Sequence, residues 1–225
     1  MMKKILQYGM LLIGIPVVIL LGNMVFKDKQ YAFVSLVIAI LACAPFFMSF
    51  EKNNQNTHKL VIIAVMVAMS VAGRFIFAMI PGFKPVTAIV VITAMYFGSE
   101  AGFLTGALSA FISNFYFGQG PWTPFQMFTW GLIGLLAGLL SGVLKGNKLI
   151  LAVYGVFAGV VFSLLMDVWT VLWYQNEFNG KLYLASITMA MPYTAVYAIS
   201  NVIFLLWLRK PMGEKLSRIK VKYGL

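Results

Sequence analysis

Eight apolar segments, at residues 5–26, 31–50, 60–80, 85–97, 101–117, 122–144, 149–174 and 182–208, follow one another with only short polar breaks between them. Such a pattern leaves few folding options. Backbone amides cannot stay unpaired in hydrocarbon, and about 20 apolar residues in an α-helix cross a bilayer core about 30 Å thick. The succession therefore predicts an all-α integral membrane protein. Composition agrees: 61% of the 225 residues are hydrophobic and 10% charged, more apolar surface than a soluble domain of this size can bury. Two segments, 85–97 and 101–117, are short at about 1.5 Å per residue and read as half-spans flanking Gly98-Ser99-Glu100.

The hydrophilic stretch EKNNQNTHK, residues 51–59, is the clearest internal boundary. Read as a cytoplasmic loop, it divides a two-helix N-terminal membrane unit (1–50) from a six-helix body (60–208), which a basic tail (209–225) follows. No A-x-A-like site lies between Met1-Met2-Lys3-Lys4 and Phe26, so the first segment reads as a retained span. Basic residues set the orientation. With the N-terminus inside, that side collects Lys3, Lys4, Lys52, Lys59, Lys145, Lys148, Arg209, Lys210, Lys215, Arg218, Lys220 and Lys222. Only Lys27, Lys29, Lys84 and Lys181 fall outside, and Arg74 falls within a span. This asymmetry puts both termini in the cytoplasm and turns the loops near 81–85, 117–126 and 175–181 outward. The net charge of +11 is thus a topology signal, because the cations cluster at segment ends without the interleaved aromatics of a nucleic-acid surface.

Several chemistries find no residues to carry them. Cys43 stands alone in an apolar run and reads as a buried hydrophobe, and His58, beside Asn56 and Thr57, reads as a solvated loop histidine, so no metal site or cofactor is expected. There is no phosphate loop, carboxylate pair, Ser/His/Asp or Cys/His set, or HExxH helix, so no catalytic residue is assigned and any ATP hydrolysis must come from another chain. The absence of an inverted repeat with broken helices, or of a chain of intramembrane acids, disfavours a self-sufficient secondary transporter.

What remains are four features. Ala64, Ala68 and Ala72 recur every fourth position in AVMVAMSVA, a face that packs either on a neighbouring helix or on a separate membrane subunit. Gly102, Gly106 and Ala110 form a similar stripe, for which internal packing is favoured; Asn114 beyond it needs a polar partner or a ligand. Arg74 and Asp167 lie within spans, where they either pair or contact ligand, while Lys84 snorkels to the interface. Aromatic residues, among them Phe83, Tyr116, Phe117, Trp122, Trp130, Trp169, Trp173 and Tyr193, gather toward the outer helix ends. Gln119, Gln126, Asn114, Thr123, Asn176 and Asn179 share their depth. A belt of interfacial aromatics explains many of the rings; an aromatic wall with a few directional polar groups is also what a ring-bearing ligand needs.

On the alanine ladder and the run FKPVTAIVVITAMYFGSEAGFLTGALSAFISNFYFGQGPWTPFQMFTWGLIGLLAG (83–138), residues 60–208 resemble the substrate-binding S components of energy-coupling factor (ECF) vitamin transporters, closest to the cobalamin type. The resemblance implies a six-helix, non-catalytic subunit in a bacterial plasma membrane, holding a vitamin near the outer surface. It also implies partners: a transmembrane coupling protein, met through Ala64, Ala68 and Ala72, and two ATPases. The expected substrate-binding set is Arg74, Phe83, Lys84, Asn114, Tyr116, Gln119, Trp122, Gln126, Trp130, Asp167, Trp173 and Tyr193. The two N-terminal spans depart from the family pattern. Cobalamin suits the aromatic and amide groups; riboflavin or another ring compound satisfies the same argument. The competing readings are a stand-alone permease and a small intramembrane enzyme using Arg74 and Asp167.

Overall fold

The computed structural model describes residues 7–26, 37, 40–41, 55–175 and 178–225. Cys43, Asn176, most of segment 31–50 and the cations at 3, 4, 27, 29 and 52 lie outside the described residues. Among the described residues every regular element is helical: α1 (Ile15–Phe26, preceded by a π-helical turn Met10–Gly14), α2 (Gln55–Ile76), α3 (Val86–Phe97), α4 (Ser99–Phe117), α5 (Trp122–Leu139), α6 (Ser141–Gly146), α7 (Lys148–Gln175) and α8 (Gly180–Tyr223). Three stretches have the length and apolarity to cross a membrane, Thr57–Ile76, Lys148–Tyr174 and Gly180–Tyr223. The chain is an all-α membrane protein.

The short helix α3 is the centre of the bundle. All its residues except Tyr96 are buried, against α2, α4, α5 and α8. Twelve residues reach only about 18 Å, too little for a bilayer core, but a helix enclosed by protein has no hydrocarbon to match. Gly98, at φ +95°, makes the turn into α4 that the sequence placed at Gly98-Ser99-Glu100.

The glycine stripe of α4 explains how closely α5 approaches. A β-carbon at Gly106 would overlap the Trp130 carbonyl, and one at Gly134 would overlap the carbonyl of Gly102. Ala110 is fully buried on the same face. Internal packing is therefore the stripe's role, as small residues allow where apolar attraction between helices is weak.

Two boundaries differ from the sequence reading. The polar stretch at 51–59 gives way to helix at Gln55, so His58 lies in the first turns of α2, where its ring stacks on Tyr223 at 4.3 Å. The tail expected at 209–225 continues α8 without a break through Pro211, because Met212, Gly213 and Leu216 are buried against the bundle. Tertiary contact outweighs the local polarity and the proline in both places. At the other end of the chain, Leu11, Ile15 and Ile19 bury one face of the first helix while Leu12, Ile13, Val17 and Leu21 stay exposed. Tyr8 Oη lies 3.0 Å from Ser99 Oγ, which sets the start of this helix level with the α3–α4 turn.

Candidate functional site

Arg74 sits in the last turn of α2, buried in an apolar helix, and must find partners there. Its Nη1 donates to Asn114 Oδ1 at 2.7 Å and also to Ser113 Oγ, both on α4. Asn114 Nδ2 donates in turn to Thr123 Oγ1 at 2.8 Å and Gln126 Oε1 at 2.9 Å on α5. The carboxamide thus uses one acceptor and both donor hydrogens, linking three helices through a fully buried group. Neutral dipoles solvate the guanidinium. Among the described residues Arg74 makes no ion pair with Asp167, whose Oδ2 is buried without a hydrogen-bond partner.

Aromatic rings enclose this corner. The guanidinium carbon lies 4.6 Å from the Phe117 ring centroid and 5.4 Å from that of Trp130, within cation–π range. Trp130 stacks on Phe162 at 5.1 Å, Phe162 stacks on Tyr197 at 4.8 Å, and Tyr193 follows at 6.5 Å. A second group joins Trp122 edge-on to Trp169 at 5.8 Å, with Trp173 a further 6.2 Å away. Three N–H donors, Arg74 Nε, Trp130 Nε1 and Trp169 Nε1, are buried without partners in the described structure. Donors left in this state cost free energy unless something binds them.

The turn FGQGPWTPFQ that joins α4 to α5 is held from within. Gly118 adopts φ +98°, open to glycine, and a β-carbon at Gly120 would overlap the Trp122 ring. Gln119 Nε2 donates to the Phe111 carbonyl at 3.0 Å, and the Gly120 and Thr123 backbones close a short turn at 2.9 Å. Lys84 is clamped by its backbone: its N–H donates to Ser200 Oγ at 2.9 Å, and that hydroxyl donates to the Lys84 carbonyl at 3.3 Å. Its Nζ lies 5.6 Å from the Phe117 centroid. Burial, and secondarily the charge of Arg74, hold the Lys84 pKa below its ordinary value.

The structure thus brings Arg74, Asn114, Gln126 and Trp130 into direct contact and Lys84 beside them across Phe117. Tyr193 joins through Tyr197 and Phe162, whereas Trp122 and Trp173 meet on Trp169 in the second ring group; Gln119 ties the turn to α4. Tyr116, 73% exposed, lies edge-on to Phe117 at 5.2 Å and so borders the corner from outside. Phe83 packs instead between Phe77 and Phe204, and among the described residues Asp167 Oδ2 is buried without a hydrogen bond to this network. The sequence reading missed Phe162 and Tyr197. Tyr197 follows Tyr193 by one turn on the same face and could have been found; Phe162 lies in an unbroken apolar run that gave no signal.

On α2 the alanine ladder faces away from the bundle. Ala64, Ala68 and Ala72 are exposed, while Ile62, Ile63, Met66, Val67 and Ser70 are buried on the opposite side. Among the described residues, no helix packs on the ladder.

A family model described as "ECF-type riboflavin transporter, S component" matches residues 54–210. No curated protein and no solved structure matches the chain.

Proposed function

The chain belongs to the family of ECF-type riboflavin transporter S components, and from that premise we propose that it captures a planar, ring-bearing vitamin of the riboflavin kind beside Arg74, Asn114 and Gln126. Membership makes it a substrate-binding subunit of an ECF transporter, a multi-pass bacterial membrane protein and not an enzyme. The family match is to the riboflavin type and lends no support to the cobalamin type, so a flavin takes precedence over a corrinoid as the ligand.

The observation that carries the reading is the corner itself. A guanidinium with an unpartnered Nε and an indole with an unpartnered Nε1 lie among stacked rings, beside a carboxamide network. Ring faces take a planar heterocycle, and fixed N–H donors take the carbonyl oxygens or ring nitrogens along its edge. The stiff turn at 117–126 serves as the rim, losing little entropy when a ligand arrives. In this reading Ala64, Ala68 and Ala72 meet the coupling protein, ATP hydrolysis belongs to two separate subunits, and both termini lie in the cytoplasm.

Purified protein should carry a yellow, fluorescent flavin identifiable by absorbance and mass, or bind added riboflavin with quenching of its fluorescence. A red corrinoid, or no flavin binding at all, overturns the substrate. Uptake by vesicles holding this chain alone, without ATP or partner subunits, would favour the stand-alone permease.

A further inference from the structure

The C-terminal part of α8 does more than end a crossing. Forty-four residues of straight helix would reach about 66 Å, roughly twice a bilayer core. Its last turns stay against the bundle instead. Gly213 is seated on Tyr96, whose hydroxyl a β-carbon would overlap; Lys220 Nζ donates to the Tyr96 carbonyl at 3.2 Å; and Tyr223 stacks on His58. The helix therefore passes beneath the end of α3 and reaches the start of α2, where an apolar span begins at Thr57.

Fixing one face of this strap fixes the other. Lys210, Lys215, Arg218 and Lys222 are exposed, with Glu214 the one acidic residue between them. Arg209 and Lys220 are engaged with the carbonyls of Lys145 and Tyr96 and do not add to this face. Exposed apolar groups accompany the cations: Val221 is 84% exposed beside Lys222, and Trp207, one turn before the strap, is 66% exposed. Cations mixed with apolar side chains, at the depth where a span begins, suit the boundary between headgroups and acyl chains. An acidic protein surface would match the charge but leave Val221 and Trp207 unexplained.

We propose that the exposed face of this strap binds anionic phospholipid headgroups in the leaflet that adjoins the start of α2. The test uses the full chain in neutral detergent, with retained phosphatidylglycerol and phosphatidylcholine counted by native mass spectrometry. Wild type should prefer phosphatidylglycerol, and the K210Q/K215Q/R218Q/K222Q variant should lose that preference by roughly tenfold or more. Exchanging lysine for arginine at the same positions should keep it, as should Lys181→Gln at the far end of α8. If the fourfold variant does not elute as a folded species, K215Q and R218Q singly must each lower the preference. The proposal falls if wild type shows no preference or the glutamine variant retains it. It falls equally if inorganic phosphate at matched concentration displaces the lipid, which would mark a free-phosphate site. An acidic protein partner would be indicated instead by a glutamine variant that keeps its lipid but no longer co-purifies with other subunits.

Discussion

Arg74 Nη1 lies 2.7 Å from Asn114 Oδ1, and that hydrogen bond ties the end of α2 to α4 forty positions further along the chain. A cation inside an apolar helix is costly unless its partners are fixed. Here a carboxamide, itself held by Thr123 and Gln126, supplies the acceptor, so the charge is stabilised without being cancelled by a carboxylate. An uncancelled guanidinium beside stacked rings remains able to polarise a ligand's acceptor atoms.

Replacing Arg74 by glutamine should therefore weaken flavin binding by at least about tenfold, since a hydrogen bond from a charged donor contributes about 1.5–3 kcal/mol. Arg74→Leu should also lower stability by about 3 kcal/mol, because Asn114 Oδ1 is then buried without a donor. A double-mutant cycle with Asn114→Leu, read by thermal unfolding and by fluorescence titration, separates the two effects. Additive losses would show that the pair is not coupled.

The α4–α5 contact gives a second expectation, independent of any ligand. Gly106→Val places side-chain atoms where the Trp130 backbone now lies, and overpacking of this kind costs about 3 kcal/mol or more. Gly142→Val, where nothing lies within 4 Å of the new β-carbon, should cost far less. Thermal midpoints of the two variants in detergent should differ by several degrees, and equal midpoints would mean that the two helices can separate freely.

Much of the fold was legible because lipid restricts the choices. Helix at 85–97 and 101–117, the break at Gly98 and the small-residue stripe all follow from segment length and spacing. What the sequence could not convey was three-dimensional company. It could not tell that α3 needs no full crossing because protein surrounds it, or that Met212 and Leu216 would draw a basic tail back against the bundle. In the site, Asn114 and Arg74 were recognisable as polar groups in apolar surroundings, yet spacing offered no way to see that they meet each other. For the same reason the sequence offered Asp167 or a ligand as the partner of Arg74, where the structure brings Asn114.

Lys84 provides a dependence on pH. Burial first, and Arg74 second, push its ammonium below the ordinary value of 10.5, so the charged form opposes folding. For a depressed pKa the penalty is complete below the folded value, fades as pH rises through it, and is gone above 10.5. Lys84→Gln should accordingly raise the thermal midpoint at neutral pH, with an advantage that shrinks as the pH is raised toward 10.5. A gain that stays constant across that range would place its origin in packing against Phe117 and not in charge.

The alanine ladder yields the test that separates binding from assembly. Ala64 and Ala68 are exposed on the side of α2 opposite to Ile63 and Met66, so large side chains there meet lipid and not the core. Ala64→Trp with Ala68→Trp should leave the thermal midpoint and flavin affinity within about twofold of wild type, because surface changes usually cost less than about 0.5 kcal/mol. If the ladder is where the coupling protein seats, the same pair fills the close approach that small residues permit, and co-purification with the partner subunits and uptake should both fail. Tryptophans placed instead at Val153 and Val156, exposed on α7, add the same bulk to a different lipid-facing helix and should leave assembly intact. Unchanged co-purification of the Ala64/Ala68 variant would remove the ladder from the interface. Loss of flavin binding in the same variant would mean that the outward face of α2 is coupled to the Arg74 corner through the helix itself.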